Sequence, residues 1–79
     1  MIKLGGKRRL TKVELEDIRD NSGITNLQYE IVRLKYFDSN QYSVIKICDL
    51  LKISVGTYGY QLKQAETQVN GYYSAKSVR

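Results

Sequence analysis

Four stretches of the chain place apolar residues at helical spacing, and each is preceded by a residue able to cap a helix. Thr11-Lys12-Val13-Glu14 fits a capping box, in which a Thr hydroxyl and a Glu carboxylate satisfy each other's free backbone amides. Leu10, Val13 or Leu15, and Ile18 then supply an inner face, and Asn21-Ser22-Gly23 a stop, so a first helix is predicted near 11–21. Thr25-Asn26-Leu27-Gln28 is a second capping box, followed by Leu27, Ile31 and Leu34 with Val32 and Tyr36 one residue off that stripe, predicting a helix over 26–37. Asp38-Ser39-Asn40-Gln41 makes a loop. Ser43 can cap a third helix, 44–51, whose Val44, Ile47, Cys48 and Leu51 occupy i, i+3, i+4 and i+7. After the short interruption Lys52-Ile53-Ser54, the residues Tyr58, Leu62, Ala65 and Val69 repeat at i, i+4, i+7 and i+11, and Asn70-Gly71 reads as the C-terminal stop of a helix over 55–70. The predicted fold class is all-α: a four-helix, bundle-like domain with a helix-turn-helix at its C-terminal end.

Length and composition narrow this further. At 79 residues the chain can build one core, and 42% hydrophobic with 27% charged residues is a globular balance. Domain organisation reads as a basic flexible arm over 1–10, with Gly5-Gly6 as its joint, the helical domain over 11–70, and a tail over 71–79. No apolar run approaches the roughly 18 residues that a membrane span needs, and Cys48 is the single cysteine, so a cytoplasmic protein without a disulfide is expected. With no histidine and no cysteine pair, metal ligands are lacking, and no cofactor is expected. Catalysis has little to draw on either: Cys48 lies on an apolar stripe and the carboxylates cluster at helix starts, where capping explains them, so the expectation is that the chain is not an enzyme.

The net charge of +5 is unevenly placed. Lys3, Lys7, Arg8 and Arg9 stand in residues 1–9 without an acid, residues 10–42 hold four bases against six acids, and residues 43–79 five against two. Two basic ends around an acidic middle suit a polyanionic partner.

The third and fourth helices with their tight turn carry the features of a helix-turn-helix: a small residue inside the first helix (Cys48), an apolar plug in the turn (Ile53), and inward apolar residues on the second (Tyr58, Leu62). Here the run Leu27-Gln28-Tyr29-Glu30-Ile31-Val32-Arg33-Leu34-Lys35-Tyr36, followed by Ile47-Cys48-Asp49-Leu50-Leu51-Lys52-Ile53-Ser54-Val55-Gly56-Thr57-Tyr58, resembles region 4 of bacterial sigma factors, and Ala65 falls where that family has an Ala. The similarity covers about Thr11 to Val69. It implies a four-helical domain that reads promoter DNA in the major groove and also touches RNA polymerase. The small, Pro-free, Tyr- and Lys-rich chain would suit a phage or mobile element of an AT-rich bacterium. Two departures concern the scaffold: Cys48 replaces the usual Ala, and Lys52 the usual turn Gly, which calls for a left-handed non-glycine residue or a different backbone.

A third departure concerns the outward face of the last helix, where the family carries Arg, Glu and Gln and this chain has Val55, Gly56, Gly59, Tyr60, Lys63 and Gln64. The expected function is a DNA-binding transcriptional regulator acting on double-stranded DNA. Ser54 and Thr57 would lie near phosphates, Val55, Gly56, Gly59, Tyr60, Lys63 and Gln64 at the groove, and Lys7, Arg8 and Arg9 would form an electrostatic arm. The alternative keeps the scaffold and changes the partner: RNA polymerase, a sigma factor or a second copy in a homodimer, met by an apolar and aromatic patch of Val55, Tyr60, Tyr72 and Tyr73.

Overall fold

The computed structural model describes residues 3–6 and 8–77. Helix α1 spans Lys12–Asn21, α2 Asn26–Val32, α3 Val44–Leu51 and α4 Val55–Ser77, with no strand among the described residues. Both expected capping boxes form. In α1 the Glu14 amide donates to Thr11 Oγ1 at 3.2 Å and the Thr11 amide to Glu14 Oε1 at 2.9 Å, and Thr25 with Gln28 repeats the arrangement at 3.2 and 3.0 Å in α2. Of the two apolar candidates in the first turns of α1, Leu15 enters the core and Val13 stays 75% exposed. Ser22 closes α1 through its hydroxyl on the Ile18 carbonyl, and Gly23 comes next in the left-handed region at φ 83°.

Helix α2 does not continue as a regular α-helix to residue 37. Arg33–Phe37 form a π-helical turn, closed by the Asp38 amide on the Arg33 carbonyl at 2.9 Å. A π turn takes up one residue more per turn and so changes the direction in which the side chains after it point. Tyr36, inside that turn, joins Val32, which precedes it, in one core cluster with Leu10, Leu15, Ile18, Ala65 and Val69, while Ile31 and Leu34 belong to the other, with Ile47, Cys48 and Tyr58. All four are buried, and Leu62 of α4 touches both clusters. The second helix is thus the central post of the fold, packed chiefly on α4.

Helix α3 begins at Ser43, whose hydroxyl accepts from the Lys46 amide at 3.2 Å, and ends at Lys52, which adopts φ 57° and ψ 47°. The left-handed lysine takes the place of a C-terminal glycine and allows the Ile53 amide to reach the Cys48 carbonyl at 3.0 Å. Ile53 packs into the second cluster and Ser54 restarts the chain as α4, its Oγ accepting from the Thr57 amide at 3.1 Å.

Two expectations for the chain ends are corrected. Asn70-Gly71 does not stop α4, which runs on to Ser77. The Asn70 amide is occupied elsewhere: its Oδ1 accepts from the Leu4 amide at 2.6 Å and its Nδ2 donates to the Leu4 carbonyl at 3.1 Å. Tyr73 then extends the inward stripe, buried at 8% exposure and hydrogen-bonded through its hydroxyl to Asp17, with Tyr72 packed edge-on beside it, ring centroids 4.8 Å apart. The two tyrosines therefore belong to the core region and do not join Tyr60 in an exposed patch. At the other end, the expected flexible arm is held down in its described residues, with Leu4 and Leu10 buried and the Leu10 amide bonded to the Tyr36 carbonyl at 2.9 Å. The long α4 gives the molecule its 41 × 23 × 21 Å shape and a radius of gyration of 12.1 Å, a little above the roughly 11.6 Å of a rounder domain of this length.

No helix among the described residues is long and apolar enough to cross a membrane, and no cluster of three or more His, Cys, Asp or Glu side chains there could hold a metal ion.

Candidate nucleic-acid interface

The outward face of α4 is set by its inward one. Because Tyr58, Leu62, Ala65 and Val69 are drawn into the core, the helical repeat leaves Val55, Gly56, Gly59, Tyr60, Lys63 and Gln64 on the opposite side, all exposed, with Thr57 exposed at its margin. Tyr60 is 64% exposed, and neither its side chain nor that of Lys63 or Gln64 makes a hydrogen bond or ion pair among the described residues. Gln61, at the edge of this face, is tied to α2 by the Gln28 amide at 3.0 Å. Ser54 and Thr57 are engaged with each other, the Ser54 hydroxyl donating to Thr57 Oγ1 at 3.0 Å while it caps the helix. Both remain exposed at the helix start.

The electrostatics of this part of the chain are one-sided. Between residues 43 and 64 stand Lys46, Lys52 and Lys63, all exposed, against Asp49 alone. Glu66, the next carboxylate along α4, is turned to the core side, where it accepts from the Tyr36 hydroxyl. Burial and this carboxylate push the Tyr36 phenol well above its ordinary value. Lys46 and Lys52 were not among the residues expected to contact a partner. Their signal lay in the charge of the α3–α4 segment as a whole rather than in any motif position.

The glycines on this face have no internal explanation. A Cβ at Gly59 would meet nothing within 4 Å, and one at Gly56 would touch only Ser54 Oγ at 4.0 Å, an ordinary contact. Neither residue has a positive φ. The fold would accept alanine at both positions, although each glycine weakens the helix by about 1 kcal/mol relative to alanine.

The remaining basic residues lie elsewhere. Lys7 is outside the described residues. Arg8 is half-buried and paired with Glu14 at 3.1 Å, and Arg9 donates to the Phe37 and Asp38 carbonyls at 3.0 and 2.6 Å, at the end of the π turn. The Glu14 carboxyl is held below its ordinary value, first by the Thr11 amide and then, against the opposing effect of burial, by the Arg8 charge. Arg8 and Arg9 line a cavity of about 480 Å³ with Gly6, Lys35, Gln41 and Tyr42, to which α4 contributes no residue. The residues expected at the DNA thus fall into two sets that share no cavity.

No protein-family model, curated protein or solved structure matches this chain. What the site can do is read from its own residues.

Proposed function

We propose that the chain is a DNA-binding transcriptional regulator whose α3–turn–α4 unit acts as a helix-turn-helix of the sigma region 4 kind. The observation that carries this reading is the pair of glycines on the exposed, carboxylate-free face of α4, which cost helix stability and serve no contact inside the molecule. A helix that must bring its backbone close to a duplex gains from missing side chains at such positions. Around them, Tyr60, Lys63 and Gln64 supply donors and a cation, Val55 an apolar contact for a thymine methyl, and Ser54 and Thr57 hydroxyls for the phosphate backbone. Lys46 and Lys52 add charge from α3 and the turn. The left-handed Lys52 and the Ser54 cap fix the entry of α4 and with it the presentation of the face.

Such binding must weaken steeply with salt, because each phosphate neutralised releases condensed counterions. A mobility-shift titration of duplex fragments at several chloride concentrations should give a linear fall of log affinity with log salt. No complex with any duplex at low salt refutes the reading.

A second reading is favoured by a separate observation. Of the seven large apolar side chains exposed among the described residues, five (Val44, Ile45, Leu50, Val55 and Tyr60) lie between residues 44 and 60, and Ile45 is 69% exposed. Exposed apolar groups of this kind mark protein interfaces. On this reading the α3–α4 unit meets RNA polymerase, a sigma factor or a second copy of the chain.

A further inference from the structure

The cavity to which α4 contributes nothing brings together three cations. Arg8 and Arg9 come from the segment before α1, Lys35 from the π turn, and Gln41 and Tyr42 from the loop before α3, and no carboxylate is among the lining residues. Like charges gathered in one lining repel one another unless an anion offsets them. Two carboxylates stand nearby and offset part of this charge. Glu14 is taken up by one terminal nitrogen of Arg8, and the Asp38 carboxyl, held below its ordinary value first by the Asn40 amide, also feels Arg33 and Arg9. Arg9 spends one nitrogen on two backbone carbonyls. Lys35 lies over the Tyr36 ring, 5.3 Å from its centroid, and has no carboxylate partner among the described residues.

The second observation is an orphaned donor. Arg8 Nε is buried with no hydrogen-bond partner, the sole such side-chain atom among the described residues. A buried unpaired donor on a charged group is costly, and native structures keep few of them without a reason. Gln41, also in the lining, is held at φ 52°, in the left-handed region that non-glycine residues avoid. The cavity's 480 Å³ is within the range of small-molecule sites, about 300–1,000 Å³, and leaves room for what a phosphate is attached to.

We propose that this cavity is a binding site for a phosphate group, held by the guanidiniums of Arg8 and Arg9 and the ammonium of Lys35, with Gln41 and Tyr42 beside the group that carries it. Guanidiniums match phosphate oxygens in pairs, and Arg8 Nε is a donor still without a partner inside the molecule. The carrier is either a small phosphorylated molecule or a nucleic-acid strand. The proposal does not depend on the function assigned to α4, since none of the lining residues belongs to that helix.

The test is a backbone-amide NMR titration of the full chain, at constant ionic strength, with inorganic phosphate, with a nucleoside 5′-monophosphate, and with a short duplex lacking terminal phosphates. Phosphate should shift the Gly6, Arg8, Gln41 and Tyr42 amides saturably. Lys35→Gln should weaken this about tenfold. Arg8→Lys, which keeps the charge facing Glu14 and loses the fork, should weaken it as well and serves where Lys35→Gln disturbs the packing on Tyr36. Lys63→Gln should leave the phosphate shifts unchanged even if it abolishes duplex binding, which separates this site from the α4 reading. Tighter binding of the monophosphate than of the duplex identifies a small-molecule ligand, and displacement of phosphate by the duplex identifies a strand. Absence of saturable shifts at these amides up to about 10 mM phosphate, or unchanged affinity in both cavity variants, overturns the proposal.

Discussion

The two halves of helix α4 obey opposite rules. From Ala65 onward the helix is a structural beam: Ala65 and Val69 are fully buried, Tyr73 nearly so, Glu66 accepts the Tyr36 hydroxyl, Gln68 donates to the Ser22 carbonyl and Asn70 grips Leu4. As far as Tyr73, each turn is tied to another part of the chain. Between Val55 and Gln64, Tyr58 and Leu62 hold the helix down, and the opposite face carries two glycines, an unpaired lysine and an exposed tyrosine with no internal partner. One half is shaped by the fold and the other is free to answer to something outside it.

That contrast makes substitutions in the two halves unequal. Val69→Asp places an unpaired carboxylate where the side chain is wholly buried, and should cost about 4 kcal/mol or more, enough to unfold a domain of this size. Thermal melting followed by circular dichroism checks it, and a variant that melts like the wild type would remove the second half's structural role.

Tyr36→Phe deletes the hydroxyl that reaches Glu66 and should cost about 1 kcal/mol, since Glu66 is half-buried and can be rehydrated. It should also change the alkaline limb of stability. The Tyr36 phenol is raised above 10.0 in the folded state, so the protonated form favours folding, and the stability it contributes is full below pH 10 and is lost as pH rises above it. Wild-type stability should therefore fall above pH 10, and the fall should be shallower in Tyr36→Phe. Tyr73, raised for the same reasons of burial and a carboxylate partner, remains to sustain part of it.

In the first half the sign reverses. Gly59→Ala should stabilise the protein by about 1 kcal/mol, because the methyl group meets open space and the helix gains propensity. The same variant should bind duplex less well. A stabilised protein with unchanged DNA affinity would mean that the glycine serves no close approach.

Local signals in the sequence carried most of the fold. The Thr11/Glu14 and Thr25/Gln28 boxes, the Ser43 and Ser54 caps, and the left-handed Lys52 all act within a few residues of themselves, so their chemistry is visible in the order of the chain. What escaped was decided by distant partners. Asn70-Gly71 carries stop residues, and only the Leu4 backbone, 66 residues away, shows why Asn70 is engaged otherwise. Tyr73 was legible as the next member of the Tyr58 to Val69 stripe, but the stop signal masked it. Val13 and Leu15 are equally apolar, and their neighbours in space choose between them. The α4 face could be inferred from its inward stripe. The Arg8, Arg9 and Lys35 cavity could not, because its walls come from three separate parts of the chain.

The most direct test replaces Tyr60 and Lys63 together by alanine, leaving Tyr58 and Leu62 in place, and measures duplex affinity across salt concentrations alongside sedimentation. Stability should change by less than about 0.5 kcal/mol, as is usual at exposed positions. The account predicts weaker DNA binding, a salt slope shallower by about one ion, and an unchanged sedimentation coefficient. Unaltered or absent DNA affinity, together with loss of a self-associated species or of capture by RNA polymerase, would contradict it and leave the exposed α3–α4 face to a protein partner.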